Sequence, residues 1–488
     1  MDFIIQVSVF ILLTTFVAVL TWFICRRSAK RSDSNSAREY FLASGGLSWV
    51  FVAGSITLTN LSTDQLVGMN GSQMALVALW ELSAVVGLFI LAKIFVPIYY
   101  HYQCTTTTEL LEHRYNNASI RTVISMMFLG INLFIYMPVV LYTGSLFMQS
   151  MFGLDIPIVI IALGVAGIGG AYSIFGGLRA VAVSDTISGV GLLALSLVVV
   201  YLALQAIDFD FSGIPAERLT LIGSNDSAIP WHTLLTGMLF IQIFYWSTNQ
   251  YITQRAMASK SVKEAQKGVF VAALIRLVIV PTIVVIPGIC AFKLYGDIGD
   301  ATYGRLVSDL LPAWTSGMMA AVMMAAVLST FNSVLNSTSA LYICDIHQKY
   351  FNKTPKISRL NLYVSLFFII LALCLVPVYA RSNSILAIVQ QINGLFSMPI
   401  LAVFIVGICF QNVNAKAVIA SVIFGISLYA IFTFVWTPFH YIHLMFITLV
   451  ACIAFALFVN RIIFGEVARI SLCDTSKVMH KKSDECYD

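Results

Sequence analysis

Leu58-Thr59-Asn60-Leu61-Ser62-Thr63-Asp64-Gln65 lies inside a run, residues 47–69, that is otherwise apolar enough for a membrane helix. Thr59, Asn60, Ser62, Thr63 and Asp64 carry short polar side chains, which compete with helical backbone groups for hydrogen bonds. At membrane depth a backbone leaves helical geometry only where it lines a cavity or is buried in protein. The stretch therefore predicts a discontinuous helix. The alternative is the outer end of an ordinary helix turning at Gly68 and Gly71.

Composition places that stretch in a bilayer. Of 488 residues, 59% are hydrophobic and 10% charged, against roughly 45–50% and 25% in a soluble domain. A soluble enzyme, a disordered chain and a nucleic-acid binder are excluded. Sliding-window hydropathy gives thirteen candidate helices, at 3–25, 47–69, 73–99, 120–148, 156–175, 181–205, 232–254, 268–293, 314–343, 357–379, 384–409, 416–436 and 440–463. Of the 28 Lys and Arg residues, 23 then fall on one side, 4 on the other, and Arg276 inside a span. The positive-inside rule puts the N-terminus outside and the C-terminus in the cytoplasm. Residues 3–25 read as a retained helix, since the run is long for a signal sequence and its basic residues follow rather than precede it. The nine cysteines are scattered without a zinc or disulfide pattern. Thr105–Thr108 followed by Glu109 offers a capping box for a short cytoplasmic helix through Arg114.

Polar and charged residues within spans are costly and mark candidate functional positions. Glu81, after Trp80, must be paired, protonated or facing water. Gln242, Tyr245, Trp246, Ser247, Thr248, Asn249 and Gln250 combine stacking faces with amides, as a sugar site needs; an interfacial aromatic belt is the other reading. Arg276 needs a carboxylate, a solute oxygen or backbone carbonyls, or it snorkels to the inner surface. Ser329 and Thr330, with Asn332, Ser333, Asn336, Ser337, Thr338 and Ser339, either pack helices or offer oxygens to a hard cation. Asp185 either pairs with Arg179 or caps its helix. No nucleophile–base constellation or metal-ligand motif is present in the sequence, so the chain does not read as an enzyme.

Together these stretches resemble the sodium/solute symporter family, in its sodium/glucose-galactose branch and as a bacterial-type member. The resemblance spans roughly residues 36–410. It rests on Leu61-Ser62-Thr63-Asp64-Gln65-Leu66-Val67-Gly68-Met69, on Tyr172-Ser173-Ile174-Phe175-Gly176-Gly177-Leu178-Arg179-Ala180, and on Tyr245-Trp246. Asn249-Gln250-Tyr251, Gln254-Arg255, Ala258-Ser259-Lys260-Ser261-Val262, Glu264-Ala265-Gln266-Lys267-Gly268 and Leu335-Asn336-Ser337-Thr338 continue it in the family's order.

The resemblance implies an all-α polytopic membrane protein of about 13 transmembrane helices. Its core would be a five-plus-five inverted repeat of LeuT-like form, with the first helix of each repeat broken near Leu58–Gln65 and Gln242–Trp246. Residues 1–46 would be a leading helix and basic loop, 47–410 the core (repeats about 47–206 and 232–410), 411–469 two peripheral helices and 470–488 a cytoplasmic tail. Sodium, the coupling ion, would be held by carbonyls of Leu58, Leu61 and Ala326 and hydroxyls of Ser329 and Thr330, with Asp185 on its exit route. Asn60, Gln65, Glu81, Ser83, Gln242, Tyr245, Arg276 and Gln390 would contact substrate. Met69 and Trp80 would form the outer gate and Tyr245 the inner one.

Departures fall mainly at the sugar positions. Gln242 stands where the galactose carriers have Asn, and Arg276 where they have Lys. Ser83, two residues after Glu81, turns away from the glutamate's helix face. The implied function is sodium-coupled import of a small hydroxylated solute, a galactose- or glucose-like monosaccharide, across a plasma membrane such as a bacterial inner membrane. Alternatives are an acidic-sugar symporter using Arg276, a proton-coupled carrier, or an uncoupled solute sensor. Apart from sodium, no cofactor or nucleic-acid partner is expected, and the oligomeric state stays open.

Overall fold

In the computed structural model, residues 2–29, 40–61, 63–225, 229–381 and 385–470 are described. Most of the basic loop expected after the first helix, and the tail expected beyond Ile470, lie outside them. Among the described residues ten helices are long and apolar enough to cross a membrane. They carry exposed large apolar side chains such as Leu12, Val190, Phe367 and Phe458, as a lipid-facing surface requires. Polar residues instead gather in the interior, where Thr59, Asn60, Gln242, Arg255, Arg276, Asn332 and Asp345 are all buried.

The leading helix α1 (Asp2–Ala29) precedes two short helices, α2 (Trp49–Asn60) and α3 (Thr63–Ser72). These two replace the expected span 47–69, because helical geometry stops at Leu61, whose ψ is 76°. Helix α4 (Ala78–Ile90) runs on through a π-helical turn at Leu91–Phe95 into Val96–His101. Only half of the expected capping box forms: Glu109 Oε2 accepts from Thr105 N–H at 2.7 Å ahead of the Thr107–Tyr115 helix, while the N-cap Thr106 hydroxyl makes no cap bond and donates to Asp345 Oδ1 at 2.9 Å instead.

The helical run α5 (Ile158–Ala206) covers two expected spans. A straight helix of 49 residues would be about 74 Å long, far beyond a bilayer core of about 30 Å. Ile168 and Asp185 nevertheless line one cavity with Leu328, Ser329 and Asn332. The run is therefore not one straight rod: Gly169 lies against Leu328 and Phe331, and Gly191 against Val322 of the same Ala313–Ala340 helix.

The second broken helix is α6 (Gly237–Ile243) and α7 (Gln250–Met257). Between them, Phe244–Thr248 is π-helical and Asn249 is extended, with φ −71° and ψ 124°. The break thus lies a few residues later than Gln242–Trp246, because the widened π turn carries the helix past Tyr245 before Asn249 ends it.

Helices α8 (Val262–Val278), α9 (Val280–Tyr295), α10 (Ala313–Ala340) and α11 (Ile385–Cys409) complete the part of the fold that positions the site. Pro287 inside α9 cannot donate to Ile283 O. Asn70 of α3 repairs that gap, donating to Ile283 O at 3.2 Å while accepting from Gly288 N–H at 2.8 Å. Two further long helices, Ala415–Ala430 and Tyr441–Ile462, follow α11. A two-residue strand β1 (Phe410–Gln411) pairs antiparallel with β2 (Arg469–Ile470), fixing the chain leaving the last helix beside α11.

Candidate functional site

The two helix breaks face one cavity, whose space counted out to its open mouth is about 910 Å³. Asn60, Gln65, Met69, Trp80, Glu81, Gln242, Tyr245, Arg276, Thr330 and Gln390 all line it. Of the residues named from sequence for substrate and gates, only Ser83 does not. Its hydroxyl bonds back to Leu79 O at 2.6 Å and Trp80 O at 3.1 Å, on the far side of α4.

Arg276 organises the cavity wall. It is fully buried, pairs through Nη1 with the Glu81 carboxylate and donates through Nη2 to Asn60 Oδ1. Gln65 Nε2 donates to the other oxygen of Glu81 at 2.7 Å. The guanidinium lies 4.3 Å from the Trp246 ring centre, a cation–π contact worth about 2 kcal/mol when desolvated. Trp246 Nε1 donates to Gln242 Oε1 at 3.0 Å, and Gln242 Nε2 donates to Trp80 O at 2.5 Å. The glutamine thus ties the second break to α4.

That tie depends on close helix contact at Gly87. A Cβ there would sit 2.5 Å from Gln242 O and 3.0 Å from Trp246 Cβ, while Ser247 Oγ donates to Gly87 O at 2.9 Å. Gly87→Val should push α6 from α4, cost about 1–3 kcal/mol as overpacking does, and lower solute affinity at least about tenfold by moving Gln242 and Trp246. Wild-type affinity in an equilibrium binding titration of the variant would refute this.

Below the cavity, Tyr245 OH accepts from Asn60 Nδ2 at 2.5 Å and from Tyr251 OH. Tyr136 closes the cluster edge-on, with its ring 5.5 Å from Tyr251 and its hydroxyl on Asn393 Oδ1 at 3.0 Å.

The residues named for sodium meet where α2 ends against α10. Leu58, Leu61, Ala326, Ser329 and Thr330 are all buried. Thr330 Oγ1 donates to Thr59 O at 2.8 Å. Ser329 Oγ is buried and faces the Asp185 carboxylate without a close hydrogen bond among the described residues. The adjacent hydroxyls face different spaces: Thr330 lines the first cavity, and Ser329 lines a second with Asp185, Ser188, Asn332 and Thr14 of α1. Asp185 accepts from Ser55 Oγ at 2.6 Å; the Arg179 side chain, its suggested partner, lies outside the described residues.

Residues 40–425 match the model of the sodium:solute symporter family. The chain belongs to that family. The uncharacterised symporter YidK of Escherichia coli (strain K12) is 34% identical over 472 residues, covering 90% of this chain and 81% of that one. The sodium/glucose cotransporter of Vibrio parahaemolyticus is 31% identical over 435 residues, 81% of this chain and 79% of its own. A solved Na⁺-coupled sialic acid symporter, substrate-bound and outward-open, matches 96% of this chain and 99% of its own with TM-score 0.81 at 17% identity. At that identity the likeness establishes the LeuT-like fold and nothing about substrate.

Three groups in this symporter escaped sequence reasoning. Arg255, counted from sequence as a charge at the inner side, is fully buried. Its Nε donates to Ser55 at 3.0 Å and Thr59 at 2.9 Å, its Nη2 to Ser333, and its Nη1 to Tyr251 O. It therefore binds α7 to both elements of the cation region. Tyr136 and Tyr251 join Tyr245 in one aromatic cluster; Tyr251 entered the sequence reading only within the family resemblance, and Tyr136 not at all. Asn393, one turn beyond Gln390, could have been found by helical spacing.

Proposed function

We propose that this protein is a sodium-coupled symporter importing a small neutral polyhydroxylated solute, a galactose- or glucose-like hexose, by alternating access. The observation that carries the choice is the Arg276–Glu81 pair: its charges cancel, so the cavity wall offers hydrogen bonds without net charge. Arg276 Nε–H, buried and without a partner among the described residues, is the donor left for a solute oxygen. Gln65, Gln242, Gln390 and Asn60 supply further polar groups, and Trp246 and Tyr245 supply flat faces. The relative named as a sodium/glucose cotransporter supports the same class. An acidic sugar would need the guanidinium that Glu81 already occupies.

Sodium, as co-substrate, binds at the Leu58, Leu61 and Ala326 carbonyls with Ser329 and Thr330, and leaves past Asp185. Its binding holds the end of α2 against α10, and so positions Asn60 and Gln65 for the solute. Met69 and Trp80 close the outer side and Tyr245 the inner. The repeats are about 47–206 and 232–410, flanked by 1–46, the two helices within 411–469 and the tail 470–488. In a cell membrane the N-terminus faces outward and the C-terminus the cytoplasm.

Labelled galactose and glucuronate uptake into proteoliposomes, under an inward sodium gradient or a potassium control, tests this. Sodium-dependent galactose accumulation is expected. Glucuronate preference would overturn the neutral-solute assignment, and equal uptake in potassium would overturn coupling.

A further inference from the structure

Lys93, Lys263 and Lys267 are exposed at one end of the lipid-facing wall between α4 and α8. It is the side that the Lys and Arg count assigns to the cytoplasm. Lys263 and Lys267 lie one turn apart on α8, and Lys93 comes from the π turn that extends α4. Gln266 locks the two helices together there, donating to Ala92 O at 2.9 Å. The ammonium of Lys93 sits 5.5 Å from the centre of the Phe270 ring, and that of Lys267 4.1 Å from the Trp49 ring.

Among the described residues no carboxylate is within 4.0 Å of any of these three ammonium groups. Glu264, on the same turn of α8, is engaged by Trp49 N–H at 2.9 Å. Like charges one helical turn apart repel, and the contacts of Lys93 with Phe270 and Lys267 with Trp49 leave the three positive charges unneutralised. Lys263 and Lys267 line an open groove with Gln266, Phe270, Val271 and Leu274; Lys93 stands at its Phe270 edge, and Phe89, Leu277 and Val278 are exposed on the same two helices. Lysines above, an interfacial tryptophan beside them and an apolar floor below match a headgroup and its acyl chain.

We infer that this groove binds one anionic phospholipid, its phosphate held by Lys93, Lys263 and Lys267 and a chain laid over Phe270 and Leu274. The apolar floor favours a lipid over a free anion. Such a lipid would clamp the ends of α4 and α8, the two helices that carry Glu81 and Arg276.

Native mass spectrometry of the full chain in neutral detergent tests this with phosphatidylglycerol against phosphatidylcholine. One phosphatidylglycerol should be retained under conditions that strip phosphatidylcholine. The K93Q/K263Q/K267Q variant should retain about tenfold less or lower, whereas the three Lys→Arg replacements together should retain it. Equal retention of the two lipids by the wild type, which needs no variant, would overturn the inference. So would unchanged retention by the glutamine variant, or displacement of the lipid by millimolar inorganic phosphate. Thermal unfolding in phosphatidylcholine should show the glutamine variant within about 1–2 kcal/mol of wild type, since repulsion and two exposed cation–π contacts are removed together.

Discussion

Arg276→Gln and Glu81→Gln should each abolish solute accumulation, and each should destabilise the protein by about 3–5 kcal/mol, the cost of stranding one charge of a buried pair. The double variant should recover most of that stability, because two neutral amides can still bond to Asn60 and Gln65. Transport should not recover with it: the donor fork that shapes the cavity is gone. Thermal unfolding of the three variants, beside uptake, separates the two effects. If the double variant is as unstable as the two singles added together, the pair is not coupled and the neutral-cavity argument fails. Arg276→Lys is a softer test. A lysine keeps the charge opposite Glu81 but cannot also reach Asn60 and lie flat on Trp246, so solute affinity should fall more than stability.

The first break was legible in sequence because its cause is local. Five short polar side chains between Thr59 and Asp64 compete with the backbone wherever the chain runs. The second was legible only approximately, since a π turn at Phe244–Thr248 has no comparable local signature and shifts the break to Asn249. Glu81 and Arg276 could each be marked as costly, but not as partners: 195 residues separate them, and only the fold brings α4 and α8 together. Arg255 was misread for a related reason. Near the inner end of a span, an arginine reaching water and one turned inward to Ser55, Thr59 and Ser333 look alike until the neighbouring helices are placed. Asn70 shows the converse, because its role is set by Pro287 on α9, which the chain reaches more than 200 residues later.

Ser329→Ala offers the sharper test of ion coupling. Thr330 is a poorer probe because its hydroxyl already bonds to Thr59 O, so its loss would disturb the α2–α10 contact with or without sodium. Ser329 Oγ makes no close hydrogen bond and faces only the Asp185 carboxylate, so its removal should change stability by no more than about 1 kcal/mol. A ligand oxygen lost from a site of five should nevertheless weaken sodium binding at least about tenfold. One sodium entering at −100 mV contributes about 2.3 kcal/mol, enough for roughly 50-fold accumulation of a neutral solute. In Ser329→Ala that ratio should fall toward unity at ordinary sodium, while solute exchange at saturating sodium persists. Sodium titrations of uptake, with the unfolding midpoint measured alongside, decide it. A wild-type titration would remove Ser329 from the ion's path. A large loss of stability would instead make its hydroxyl structural, and the change in sodium response would then say nothing about coordination.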